Sequence, residues 1–232
     1  MSENVTIDTI DGNEHFTAYV ARPAEEPRAA IVVIQEIFGV NAGIRRKCDL
    51  LAEQGYLAVA PDLFWRLERE IELDPDVEPE FKKALSLMED FDPDRGIRDI
   101  EATIKWARAE TGGKKVGAVG YCLGGKLAYM TAARTDSDAT VGYYAVGVDE
   151  MLDEAHAIAN PLMLHIPTED GFNDKETQKA MHDGLDDHPK VTLHDYPGLD
   201  HGFATQFGER RDEAGAQKAD ARTEEFFAQH LG

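Results

Sequence analysis

Apolar residues along the chain form short, dense runs separated by stretches with helical spacing. Seven runs rich in β-branched and aromatic residues are typical of strands: FTAYVARP, AAIVVIQE, YLAVAPDLF, KVGAVGY, TVGYYAV, PLMLHIP and VTLHDYP. Three intervening segments have the spacing of amphipathic helices: GIRRKCDLLAEQG, EPEFKKALSLMEDF and DEAGAQKADARTEEFFAQHL. The spacing of Ile97, Ile100 and Ile104 predicts a further helix, in which Glu101 and Lys105 are placed to form an ion pair one turn apart.

This alternation predicts one α/β domain over residues 1–232, with a mostly parallel sheet and helices on both faces. The uninterrupted apolar run AAIVVI is typical of a central strand that is covered on both sides. In such sheets, ligands bind at the carboxyl ends of the strands. We therefore expect the loops after Ile34, Tyr121, Ile166 and Tyr196 to meet at one edge.

Acidic residues outnumber basic ones by 45 to 24, which gives a formal net charge of −21. Such a surface repels nucleic acids and anionic membranes, so neither is an expected partner. The acids are spread along the whole chain rather than gathered in a tail. We interpret this as halophilic adaptation to high intracellular salt, with an ordinary acidic protein as the alternative.

The apolar runs are far shorter than the about 18 residues that would indicate a membrane span. The N-terminal residues are polar and acidic, without the features of a secretion signal, so we expect a cytoplasmic location. Two cysteines do not make a disulfide framework. Cys48 lies in a helical segment, where we expect packing or partial exposure rather than chemistry. Cys122 lies instead in a glycine-flanked turn between a strand and a helix.

Three chemically active side chains follow predicted strands. Cys122 stands at the apex of the strand-to-helix turn GYCLG, Asp170 lies in PTEDGF, and His201 lies in GLDHGFA. Nucleophile, acid and histidine follow one another in the order of an α/β-hydrolase triad. In this hypothesis His201 accepts the thiol proton, while Asp170 orients the imidazole and stabilises its charged form.

Two backbone amides are candidates for an oxyanion hole. The helix that follows Cys122 favours negative charge at its N-terminus, and the N–H of Leu123 lies beside the nucleophile. The loop QEIFG follows the central strand and supplies the N–H of Ile37. Glu36 in the same loop is either an ordinary loop carboxylate or part of the site.

Other residues compete for these roles. His194 and His165 lie inside predicted strands, where a side chain points to a sheet face, so we interpret both as packed or surface residues. Asp170 would otherwise be a turn residue, and the nearby Asp174 is a candidate helix N-cap.

The stretches QEIFG and GYCLGG, with GYLAVAPDLF and VGYYAVG, resemble the dienelactone hydrolase family, the cysteine branch of the α/β-hydrolases. The resemblance covers nearly the whole chain. It implies an α/β-hydrolase fold, a triad of Cys122, Asp170 and His201, and an oxyanion hole from Ile37 and Leu123. It also implies that Glu36 contacts the resting thiol.

The activity implied by this resemblance is hydrolysis of a small-molecule lactone or carboxylic ester through a thioester, with no cofactor and no metal. The sequence leaves open whether the protein is a monomer or a small homo-oligomer.

The chain departs from the family in the arginines that hold a substrate carboxylate. The corresponding helix reads VEPEFKKALSLM, without an arginine, and Thr205 stands four residues after His201. Leu85 and Met88 occupy positions where aromatic residues are expected. We therefore expect poor turnover of carboxylated lactones unless Arg66, Arg69 or another base has replaced the clamp.

Two other classes of protein share part of this pattern. A class I glutamine amidotransferase also uses G-x-C-x-G, but it places a glutamate two residues after its histidine, where this chain has Phe203. A non-catalytic ligand-binding protein on a hydrolase scaffold is the second alternative, and the intact triad argues against it.

Overall fold

The computed structural model describes residues 1–232 and contains one eight-stranded sheet with the strand order β1-β2-β4-β3-β5-β6-β7-β8. The strands are β1 (Ser2–Asp8), β2 (His15–Ala21), β3 (Ala30–Ile34), β4 (Leu57–Pro61), β5 (Val116–Tyr121), β6 (Ala139–Tyr143), β7 (Leu162–Pro167) and β8 (Val191–Tyr196). Strands β3 to β8 pair in parallel, and β2 pairs antiparallel with both β1 and β4. The predicted, mostly parallel α/β sheet is confirmed.

Six α-helices and one 3-10 helix connect the strands. They are α1 (Ala42–Glu53), α2 (Glu78–Asp90), α3 (Pro93–Glu110), α4 (Leu123–Arg134), α5 (Lys175–Leu185) and α6 (Glu213–Leu231), with the 3-10 helix at Asp149–Ala157. The predicted Glu101–Lys105 ion pair lies on α3, with 2.7 Å between its charged atoms. None of the helices has the length and apolar character needed to cross a membrane.

The central strand β3 is buried on both faces, which explains its uninterrupted apolar sequence. Val32 and Ile34 pack in a core with α3 and α4, whereas Ile31 and Val33 pack in a second core with α1 and α6. Because successive side chains of a strand point to opposite faces, this strand serves both layers. It thereby places its carboxyl end, and the loop with Glu36, in the middle of the sheet edge.

The sequence pattern does not indicate the first strand or the fifth helix. Strand β1 pairs with β2 along its whole length, from Ser2 opposite Ala21 to Asp8 opposite His15. It is a sheet edge, and most of its residues are exposed, so its polar sequence lacks the apolar density of the other strands. Helix α5 was recognised only through its N-cap, Asp174, whose side chain accepts a hydrogen bond from the N–H of Thr177.

Candidate active site

Cys122 occupies a sharp turn between β5 and α4. Its backbone has φ 56° and ψ −114°, a conformation that residues with a side chain rarely adopt. Glycines make the turn possible: a Cβ on Gly120 would lie 1.8 Å from the carbonyl oxygen of Gly124. The turn therefore raises Cys122 to the carboxyl edge of the sheet and leaves it at the N-terminus of α4.

Asp170 and His201 meet across the neighbouring loops, as their positions after β7 and β8 predict. His201 Nδ1 lies 3.0 Å and 3.2 Å from the two carboxylate oxygens of Asp170. The carboxylate also accepts hydrogen bonds from the N–H of Phe172 at 2.8 Å and from the side chain of Asn173 at 3.0 Å. These contacts hold both buried side chains in one orientation.

The other ring nitrogen of His201, Nε2, is the candidate proton acceptor. Nε2 is buried and has no hydrogen-bond partner, and His201 and Cys122 line the same pocket. Burial disfavours a charged imidazole, but the electrostatic interaction with Cys122 and the hydrogen bond to Asp170 outweigh it and raise the pKa of His201 to about 10. The imidazole is thus held beside Cys122 by Asp170 on its opposite side.

The two candidate oxyanion amides are free. Leu123 is the first residue of α4, so its N–H has no carbonyl one helical turn before it. The N–H of Ile37 has no acceptor within the protein, and Ile37 lines the pocket that contains Cys122. Both donors are thus available to a bound oxygen.

Glu36 lines the same pocket as Cys122 and is half-buried. Burial raises the pKa of its carboxyl group, while the positive charges of His201 and Lys47 act against this rise. Its loop is held by Gln35, whose side chain accepts a hydrogen bond from the N–H of Leu63 at 3.0 Å and donates one to the Glu36 carbonyl at 3.3 Å.

Two supporting residues were not found by sequence analysis. Asn173 bridges Asp170 and the carbonyl oxygen of Ala145, at 3.0 Å and 3.1 Å. Asp200 accepts hydrogen bonds from the N–H of His201 at 2.6 Å and of Gly171 at 2.9 Å. It therefore ties the histidine loop to the aspartate loop, a contact between residues 29 positions apart that no local motif indicates.

The competing residues lie outside the pocket. His165 is fully buried in β7, and His194 stacks on it with 5.9 Å between ring centroids. Cys48 is fully buried on α1, and burial raises the pKa of its thiol well above the usual range. His165 and Cys48 are packed in the core, and His194 is half-buried, which fits the interpretation of the histidines as packed or surface residues.

The pocket above Cys122 is mainly apolar, with one arginine at its rim. Its apolar lining includes Leu85 and Met88, as expected, together with Phe38, Phe81, Val146 and Phe172. Arg210 also lines it, 5.5 Å from the ring centroid of Phe81, and makes no hydrogen bond or ion pair.

The two arginines that the sequence suggested as substitutes are engaged elsewhere. Arg66 forms an ion pair with the buried Asp99, 3.1 Å between Nη2 and Oδ1. Arg69 donates to the carbonyl oxygen of His15 at 3.2 Å and lies over the ring of Trp65. Neither lines the pocket.

The sheet order, the strained cysteine turn and the buried Asp–His pair define an α/β-hydrolase with cysteine at the elbow. The sequence profile of the dienelactone hydrolase family matches residues 16–231. A protein of Azospirillum brasilense, provisionally assigned as a carboxymethylenebutenolidase, is 43% identical over 94% of each chain. Carboxymethylenebutenolidase 1 of Cupriavidus pinatubonensis is 37% identical over 98% of this chain and 97% of the relative.

Solved structures agree with this assignment. The crystal structure of a Klebsiella pneumoniae protein, provisionally described as a dienelactone hydrolase, superposes with a TM-score of 0.84 and 27% identity, over 99% of this chain and 100% of that one. The chain belongs to the dienelactone hydrolase family, and it is an enzyme that hydrolyses small-molecule lactones or esters.

Proposed function

We propose that the enzyme opens its substrate by attack of Cys122, with His201 and Asp170 completing a triad. The observation that carries this assignment is the buried, unpartnered Nε2 of His201 in the pocket shared with Cys122, while Asp170 holds the opposite ring nitrogen. This is the geometry in which one imidazole passes a proton between nucleophile and leaving group.

The reaction proceeds in two halves. His201 takes the proton of the Cys122 thiol, and the resulting thiolate adds to the carbonyl carbon. The oxyanion that forms accepts hydrogen bonds from the N–H groups of Ile37 and Leu123. As the C–O bond breaks, His201 gives its proton to the leaving oxygen, which leaves an acyl thioester and an alcohol. Water then attacks the thioester with His201 as base, and the thiolate departs.

Replacement of the triad tests this mechanism. Cys122→Ala, His201→Ala and Asp170→Asn should each lower kcat/KM for a short ester or lactone by at least about 100-fold, because each removes part of one proton-transfer unit. Cys48→Ala is the matched control and should keep its activity, since Cys48 packs away from the pocket. A Cys122→Ala enzyme that retains more than a few per cent of turnover contradicts the assignment of the nucleophile.

Glu36 is proposed to restrain the resting thiol. A carboxylate beside a thiol disfavours the thiolate by like-charge repulsion. Glu36→Gln should therefore speed alkylation of the free enzyme by iodoacetamide near neutral pH, while ester turnover falls. Alkylation that is unchanged or slower in this variant argues against the restraint.

The names of the relatives point to a lactone that carries a carboxylate, and Arg210 supports extending this to the present chain. Arg210 is an unpaired cation at the rim of the catalytic pocket in a protein with a net charge of −21. We propose that it takes the role of the missing clamp, so that the poor turnover expected from sequence register does not apply. A charge-assisted hydrogen bond of about 1.5–3 kcal/mol corresponds to roughly 10- to 100-fold in kcat/KM.

A matched pair of substrates tests the role of Arg210. Arg210→Gln should lower kcat/KM for a carboxylated lactone by about that factor and leave its neutral methyl ester nearly unaffected. Arg69→Gln, which makes the same charge change outside the pocket, should alter neither substrate. Equal losses on both substrates, or a wild-type preference for the ester, would refute carboxylate recognition by Arg210.

A further inference from the structure

A buried lysine lies behind the catalytic turn without a part in the proposed mechanism. Lys47 on α1 is 6% exposed, and its Nζ lies 3.3 Å from a carboxylate oxygen of Asp220. The same ammonium lies 4.8 Å from the ring centroid of Tyr121, the residue before Cys122. It also lies 5.6 Å from the ring centroid of Tyr143. Burial of a lysine is costly, and the only carboxylate bonded to this one, that of Asp220, is 31% exposed to solvent.

Lys47 shares a cavity with Glu36. This cavity, of about 400 Å³, adjoins the catalytic pocket, and Glu36 lines both. Lys47, Tyr121 and Tyr144 lie on its inner wall. Glu36 thus stands on the boundary between Cys122 on one side and the lysine cavity on the other.

Charged and titratable groups surround both Glu36 and Lys47. Those around Glu36 are Cys122, His201 and Arg210 in the catalytic pocket and Lys47, Tyr121 and Tyr144 in the cavity. The outer wall of the cavity carries the acids Glu72, Asp74, Asp76 and Glu80. Lys47 itself faces Asp220, Arg211 and Glu36, together with the rings of Tyr121 and Tyr143. Lys47 is therefore the one lysine among the groups that face Glu36.

We propose that Lys47 is a positioning residue that keeps Glu36 ionised and thereby sets the reactivity of Cys122. The inference rests on the proposed function, because it explains how Glu36 could stay charged and so restrain the Cys122 thiol. Burial favours the neutral form of a carboxyl group, and a nearby ammonium favours the charged form. Without Lys47, Glu36 takes up a proton at a higher pH, and the repulsion that restrains the thiolate disappears.

The test is a double-mutant cycle read by the pH dependence of Cys122 alkylation. Lys47→Met should move the alkylation midpoint to lower pH and speed alkylation at neutral pH several-fold, as Glu36→Gln does. In the Glu36→Gln background the same change should move the midpoint upward or not at all, because loss of a cation by itself disfavours a thiolate. Equal shifts in both backgrounds would overturn the proposal.

Further variants separate this role from structural damage. Lys47→Arg should restore the wild-type profile because it keeps the charge, and Lys47→Gln should behave like Lys47→Met if the methionine variant does not fold. Lys126→Met is the matched control: Lys126 lies on the helix after Cys122 but lines neither cavity. If Lys126→Met shifts the alkylation midpoint as much as Lys47→Met does, loss of any nearby positive charge explains the shift, and the positioning role of Lys47 is refuted.

Failure of the proposed function has a different signature. If alkylation of Cys122 leaves ester turnover intact, the nucleophile is misassigned whatever the pH profile shows. If alkylation abolishes turnover but the Lys47 shift does not depend on Glu36, the triad stands and the role of Lys47 is wrong.

Discussion

Replacement of Gly124 by alanine should lower kcat strongly while it lowers the stability of the fold only modestly. Gly124 is the second residue of α4, and a Cβ at this position would lie 2.4 Å from the carbonyl oxygen of Ile34 and 2.5 Å from that of Gln35. Its own backbone conformation is open to any residue, since its φ is not in the left-handed region. The cost of the added methyl group therefore comes from the contact with the loop that carries Glu36 and Ile37.

The size of the effect follows from these distances. Restoring ordinary contact at about 3.4 Å requires the loop and helix to separate by about 1 Å. Overpacking of this kind costs about 1–3 kcal/mol, against which the better helix propensity of alanine returns at most about 1 kcal/mol. A displacement of about 1 Å between the amides of Ile37 and Leu123 should lower kcat about 100-fold, because both must point at one oxygen.

The assay compares denaturant unfolding with kcat for one neutral ester. We expect a net loss of stability below about 3 kcal/mol and a fall in kcat with little change in KM. Gly184→Ala on α5 is the control, since its Cβ meets only the flexible side chain of Leu152, at 3.0 Å. A stable Gly124→Ala enzyme with wild-type kcat would show that the close approach of helix and loop does not form the oxyanion site.

Three further predictions concern charge and burial. If the net charge of −21 reflects halophilic adaptation, Tm should rise between about 0.1 M and about 3 M KCl by more than in sucrose, and a flat or falling Tm contradicts it. Partial burial opposes charge on His182, but its hydrogen bonds to Asp186 and Asp195 raise the pKa. Its stabilising effect is therefore complete below about pH 6.5 and is lost as pH rises through the raised pKa, so His182→Gln should lower Tm at about pH 5.5 and much less at about pH 9. Because burial raises the pKa of Cys48, iodoacetamide should label only Cys122 in the native protein, and labelling of native Cys48 at a similar rate would be the contrary result.

Sequence patterns predict the features that follow from burial and from position at a strand end. The run AAIVVI predicted the doubly covered β3, and strand-end positions predicted that Asp170 and His201 meet. The edge strand β1 has no clear sequence signal because a mostly exposed strand needs few apolar residues. Lys47 was missed because its partner, Asp220, lies 173 residues away, and no local pattern distinguishes a buried lysine from an exposed one.

The proposed restraint also accounts for cysteine at an elbow that usually carries serine. A thiol ionises near pH 8.5, close enough to neutrality for one neighbouring charge to decide its state. A serine hydroxyl stays protonated throughout that range, so a carboxylate beside it could not switch its reactivity. Glu36, whose pKa is raised by burial, lines the pocket that contains this thiol. In this proposal the half-buried carboxylate of Glu36 and the thiol of Cys122, at φ 56°, act together, because the carboxylate restrains only a nucleophile that can ionise.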